Sequence, residues 1–98
     1  MTIRLVTIDV FSDKVGQAFL IEEPGVPAVE LTLTEAQPIP NYGKAARAPF
    51  SLLFTSKGIG VLPQRMYALR HAALGLQEVF LVPIGKKDDV VTYQAIFN

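Results

Sequence analysis

The sequence has no cysteine, no tryptophan, a single histidine and no excess of either charge, with nine Lys/Arg against nine Asp/Glu in 98 residues. Without a thiol, a disulfide framework, a thiolate nucleophile, a cysteine-ligated zinc and an iron–sulfur cluster are all excluded. Charge neutrality and a pI near 6.6 remove the general electrostatic reason to bind nucleic acid or an anionic membrane, and they weaken the self-repulsion that opposes association. The longest apolar run, Val79-Phe-Leu-Val-Pro-Ile84, is far short of the ~20 residues that span a bilayer as a helix. The N-terminus meets Asp9 before any apolar stretch long enough for a signal-peptide core. The expectation is one soluble, cytoplasmic domain over residues 1–98, with neither nucleic acid nor membrane as partner. It should bury roughly two-thirds of the surface its unfolded chain exposes.

What is present is a succession of short apolar runs separated by turn residues. Thr7 is placed to cap a short helix over residues 8–15, with Asp9 in the first turn, Lys14 in the last and Gly16 ending it. The β-branched residues there also allow a strand over residues 3–10. Beyond Gly16 the period becomes two. Phe19 and Ile21 share one face of residues 17–22, Pro24-Gly25 supplies a turn, and Val29, Leu31 and Leu33 alternate with Glu30, Thr32 and Thr34. Residues 37–48 contain Pro38, Pro40, Asn41 and Gly43 and are expected to form the longest loop. In residues 50–55, Phe50, Leu52 and Phe54 oppose Ser51, Leu53 and Thr55. Residues 64–74 fit a helix by Met66, Leu69 and Ala73, and a strand by Tyr67, Leu69 and His71. Residues 77–84 read as a strand with Pro83 near its end or at an edge, residues 85–89 as a charged hairpin loop, and residues 90–97 as a closing strand. The fold class expected is mainly β: a small antiparallel β-barrel or sandwich of about six strands with one short N-terminal helix.

The residue types that carry chemistry are thinly supplied. His71 is the only imidazole, and no Gly-x-Ser-x-Gly elbow accompanies it. A lone histidine in an apolar segment is most often a hydrogen-bonded structural residue. The acids Glu22, Glu23, Glu30, Glu35, Glu78, Asp88 and Asp89 fall at turns or on wet strand faces, so no metal site and no catalytic carboxylate pair is expected. Gly58-Ile-Gly60 lacks the lysine and helix start of a phosphate loop and reads as a turn. Lys44, Arg47, Arg65 and Arg70 read as a distributed surface, and Tyr42, Tyr67 and Tyr93 as cross-strand packing with hydroxyls reaching the rim. No cofactor is expected.

The set Arg47-Ala-Pro-Phe-Ser-Leu52, Leu62-Pro-Gln64, Tyr67-Ala-Leu-Arg-His71, Gly75, Phe80-Leu-Val-Pro83 and Tyr93-Gln-Ala-Ile-Phe-Asn98, together with Phe11, Val15-Gly16, Phe19 and Leu31-Thr-Leu33, resembles a family of short bacterial domains of unknown function. The resemblance spans nearly the whole chain and implies a mostly β fold in which residues 64–72 form a strand, against their local propensity. It implies no catalytic residue. It also implies an association with phage-tail-collar-like proteins, and so an accessory role in a tail-like assembly. Arg47, Ser51, Gln64, Tyr67, His71, Tyr93 and Asn98 match the family's polar pattern and are expected to form one interstrand network, either structural or binding.

Three functions follow as expectations. The first is a non-enzymatic interaction or structural module with a protein partner or a second copy of itself. The second is a small-molecule or carbohydrate binding β domain using the tyrosines and Arg47 around residues 37–48. The last is a hydrolase or isomerase centred on His71.

Overall fold

A computed structural model describes residues 6–25, 28–40, 48–58 and 60–97. One helical turn, α1 (Asp9–Ser12), precedes six strands: β1 (Ala18–Ile21), β2 (Val29–Pro38), β3 (Phe50–Lys57), β4 (Arg65–His71), β5 (Gly75–Lys87) and β6 (Val90–Phe97). They close into an antiparallel barrel in the order β1-β2-β3-β6-β5-β4, with β4 returning to β1.

The alternation of apolar and polar residues dictates what faces inward. Phe19 and Ile21, Val29, Leu31 and Leu33, Phe50, Leu52 and Phe54, Tyr67 and Leu69, Val79 and Leu81, and Val91, Tyr93 and Ala95 are all buried. Barrel closure gives every strand a partner on both sides over part of its length. Phe11 of α1 plugs one end of the core, its ring centroid 5.6 Å from Phe97, 6.0 Å from Phe50 and 6.3 Å from Phe19.

Two register shifts bend the longer strands. One lies between Leu33 and Glu35 of β2, where the Thr34 hydroxyl donates to the Leu53 carbonyl, 3.1 Å away. The other lies between Pro83 and Gly85 of β5. Each inserts one extra residue and sharpens the local twist. Pro83 fits because pairing of β5 with β4 ends at Leu81, leaving one side of the strand free where a missing N–H does no harm.

Several boundaries differ from expectation. The helix is one turn rather than residues 8–15, and Ile8, not Thr7, occupies its N-cap, with no side-chain capping bond. The chain leaves it through Gly16 at φ +91°, whose N–H donates to the Leu33 carbonyl. That tie to β2 stops the helix early. The loop expected from residue 37 begins later, since β2 runs through Pro38; residues 41–47 lie outside the described residues. In the hairpin between β5 and β6, Gly85, Lys86 and Lys87 are strand, and only Asp88-Asp89 turn the chain, with Asp88 at φ +57°. The segment whose local pattern was divided, residues 64–72, contains β4.

Candidate functional site

Of the polar residues singled out in the sequence, those among the described residues divide between two separate places and the outer surface. His71 ends β4 with its side chain inside the barrel, 5% exposed, its ring 4.7 Å from that of Phe19. Its Nδ1 accepts the N–H groups of Ala73 and Leu74, at 3.0 and 3.2 Å. With two donors on Nδ1, the ring proton sits on Nε2 and is donated to Gln17 Oε1, 2.6 Å away. The imidazole thus caps the three-residue turn that leads into Gly75, whose φ of +71° completes the turn. Both nitrogens of the only imidazole are committed to backbone and scaffold.

Tyr67 and Tyr93 occupy the opposite end of the core and are 1% and 0% exposed. The Tyr67 hydroxyl donates to the Pro63 carbonyl, and the Tyr93 hydroxyl accepts the Leu62 N–H at 2.9 Å. Two phenols on β4 and β6 therefore hold the segment between β3 and β4 against the barrel end. These two rings are buried among the strands rather than exposed on the surface. Ser51 lies half-buried on the outer face of β3, opposite Gln37 and Ile96. Gln64 is exposed just before β4. Arg47 and Asn98, like Tyr42 and Lys44, lie outside the described residues.

Arg65 and Arg70, read from the sequence as distributed surface charge, are both spent on one seam. Strands β1 and β4 pair only at Leu20–Arg70 and Ile21–Leu69. Just beyond, the Glu22 N–H donates to the Ala68 carbonyl, and the Ala68 N–H donates back to Glu23 Oε1 at 3.2 Å. Arg70 forks onto both oxygens of Glu22. Arg65 donates to Glu23 at 3.0 and 3.5 Å, and its guanidinium lies 4.4 Å from the centre of the Tyr67 ring. The hydrogen bonds from Arg70 and Arg65 hold the Glu22 and Glu23 carboxyls below the ordinary carboxylate value, and raise both guanidinium pKa values. The adjacent acids, expected merely to face water, extend a two-pair ladder by side-chain bonds. The sequence signal was present as Glu22-Glu23 opposite an Arg-x4-Arg spacing, but only the pairing of β1 with β4 makes it readable.

Among the described residues, no group of three or more His, Asp and Glu side chains converges to hold a metal. Depressions among the described residues include one of about 400 Å³ over Leu20 to Pro24 and Ala28, one of about 360 Å³ between β2 and β3, and one of about 260 Å³ between Val6, Val10 and Leu74. The second is floored by Ser56, which the sequence reading left beyond its strand although it continues the inward alternation of Phe50, Leu52 and Phe54. No helix among the described residues is long and apolar enough to cross a membrane.

No curated protein and no solved structure matches the chain significantly. A family model does, over residues 6–97, covering every strand, the helical turn and both buried polar clusters. On that match the chain belongs to the DUF6916 family, a domain of unknown function.

Proposed function

We propose that the domain is a non-catalytic interaction module that associates with a second copy of itself through the outer face of β4, β5 and β6. One observation carries this reading. Met66 and Phe80 stand directly opposite each other across β4 and β5 on the solvent side, 48% and 43% exposed. Ile96, on the outer face of β6, is also exposed. Large apolar side chains facing each other across two strands are an association signal where scattered ones are not. The charge balance adds no repulsion between copies. The engagement of both His71 nitrogens and both buried tyrosine hydroxyls in scaffold bonds supports a module over a catalyst.

Light scattering across a concentration series tests the reading. The expected result is a dimer that the Met66→Lys/Phe80→Lys variant converts to a monomer with an unchanged circular dichroism spectrum. A wild-type chain that stays strictly monomeric at high concentration overturns it. By the sequence resemblance, we further place such a module as an accessory of a phage-tail-like assembly. Copurification with a coexpressed tail-collar-like protein tests that placement, and failure to copurify removes it.

A further inference from the structure

The barrel consists of two three-stranded meanders, β1-β2-β3 and β4-β5-β6, built on one plan. In each, the middle strand pairs first with the strand before it and then with the strand after it. Strand β2 pairs with β1 from Val29 to Thr32 and with β3 from Thr32 onward, while β5 pairs with β4 from Gly75 to Leu81 and with β6 from Val82 onward. Each half therefore has a place where the early part of the middle strand stands apart from the late part of the third.

In the second half that opening meets the N-terminal segment. Val6 and Val10 gather with Ala73, Leu74 and Gln77, and Phe11 packs on Phe97 at the end of β6. In the first half the equivalent opening, between Ala28–Glu30 and Ser56–Lys57, is filled by no described segment. It forms the depression of about 360 Å³ lined by Val29, Glu30, Thr32, Ser56, Lys57 and Val90, among others.

The backbone directions at this opening follow from the bonds around it. The Leu33 N–H donates to Gln17 and the Leu33 carbonyl accepts from Gly16, so Leu33 faces β1, and by alternation Thr32 and Glu30 face β3. The Gly58 N–H donates to Asp89, so Gly58 and Ser56 face β6, and Thr55 and Lys57 face β2. The ladder closes at Thr32–Thr55 and does not continue to Glu30 and Lys57. Their main-chain groups point into the opening from both sides. Beside them lies Ser56 Oγ, a buried hydroxyl with no hydrogen-bond partner, on a residue 4% exposed. A buried hydroxyl left unbonded is costly, and it marks a place where a polar group is missing.

We propose that this opening binds an extended peptide segment of a partner protein, laid between β2 and β3 as an added strand. Its main-chain N–H and C=O groups bond to Glu30 and Lys57, and one of its polar groups satisfies Ser56 Oγ. Two facing strand edges with unused main-chain groups select an extended backbone over any compact ligand. The corresponding opening in the other half is lined by the chain leading into and through α1 of the same protein. This site is on the β2–β3 side, away from Met66 and Phe80, and stands or falls independently of self-association.

The probe is a capped heptapeptide, Lys-Thr-Val-Thr-Val-Thr-Lys, titrated into the ¹⁵N-labelled full chain, with Lys-Thr-Pro-Thr-Pro-Thr-Lys as the control, which lacks the N–H groups of positions 3 and 5 on one side of the strand and resists pairing. Because the main chain supplies the bonds, a generic strand suffices at millimolar concentration. The expected result is saturable shifts at the Glu30, Ser56 and Lys57 amides and at least tenfold slower exchange of the Lys57 amide. The proline peptide should produce neither. Lys57→Pro removes the N–H that β3 aims into the opening while sparing those of Ser56 and Gly58 toward β6, and should weaken binding at least tenfold. Ser56→Ala, which leaves the backbone intact, serves as the second variant should proline disturb the fold, and should weaken binding several-fold. No saturable shift up to millimolar peptide overturns the proposal, as does equal binding of the proline peptide, or shifts confined to Met66, Phe80 and their neighbours. Binding undiminished in Ser56→Ala removes the role given to the hydroxyl.

Discussion

His71 shows how a single residue type acquires its meaning from its bonds. Replacing it by alanine removes the acceptor for the Ala73 and Leu74 N–H groups and the donor to Gln17 at once. The expected loss is about 1–3 kcal/mol. His71→Asn puts an amide oxygen near the Nδ1 position and should recover part of that loss, as read from urea unfolding midpoints. Two equally damaged variants would argue against the capping role. At the other end of the core, Tyr93→Phe leaves the Leu62 N–H without its partner and should cost about 1–2 kcal/mol in the same assay. A third site is conformational. Asp88 sits at φ +57° in the two-residue turn between β5 and β6. Asparagine tolerates that region and a β-branched residue does not. Asp88→Asn should be nearly neutral and Asp88→Val should destabilise by about 1–2 kcal/mol, again from unfolding midpoints. Equal midpoints for the two variants would contradict this.

At the scale of elements, the seam between β1 and β4 is where electrostatics contributes to closing the barrel. Ion pairs at a surface are individually weak, but these two continue a ladder that otherwise has only two residue pairs. The Glu22 and Glu23 carboxyls have their folded-state pKa lowered from 4.5, so the folded chain takes up their protons less readily than the unfolded chain. Their contribution is complete above the ordinary carboxylate range and drains away as pH falls through the lowered values. Between about pH 5 and pH 3 the wild type should therefore lose stability more steeply than the Glu22→Gln/Glu23→Gln variant. Denaturant midpoints against pH measure both slopes, and identical slopes would exclude the seam as their source. The elements also show where local pattern is sufficient. Residues 29–34 of β2 follow from apolar alternation, and β6 from its β-branched and aromatic content, whereas β4 holds good helix formers in Met66, Ala68, Leu69 and Arg70, and its strand state comes from pairing on both sides with β1 and β5.

For the whole molecule, the core depends on a plug as well as on the strands. Phe11 is fully buried and contacts rings from β1, β3 and β6, although its helix is a single turn with no side-chain N-cap. Phe11→Ala opens a cavity at the barrel end and should cost about 3–5 kcal/mol. Hydrogen exchange should accelerate most at Phe50 and Phe97, and a change spread evenly over all six strands would speak against a plug. Phe50 and Phe97 stack with centroids 4.7 Å apart and planes at 5°, so this end of the barrel is aromatic while the other is held by the hydroxyls of Tyr67 and Tyr93. The proposed self-association through Met66 and Phe80 belongs to the same scale, because neither residue adds to the core and both are presented by barrel curvature.

The sequence by itself determined the inward faces. Once a run alternates, one set of side chains must leave water, and Phe19, Leu31 and Phe54 could be placed on one inward face without knowing any partner strand. The absence of cysteine and of excess charge likewise closed whole chemistries without a fold. Tertiary structure alone decided which strand neighbours which, and with it every long-range polar contact. Glu22 finds Arg70 across 48 residues of chain, His71 finds Gln17 across 54 and Tyr93 finds Leu62 across 31. Side-chain periodicity constrains the face a residue occupies but not the strand beside it, so these pairs became visible only when the barrel closed.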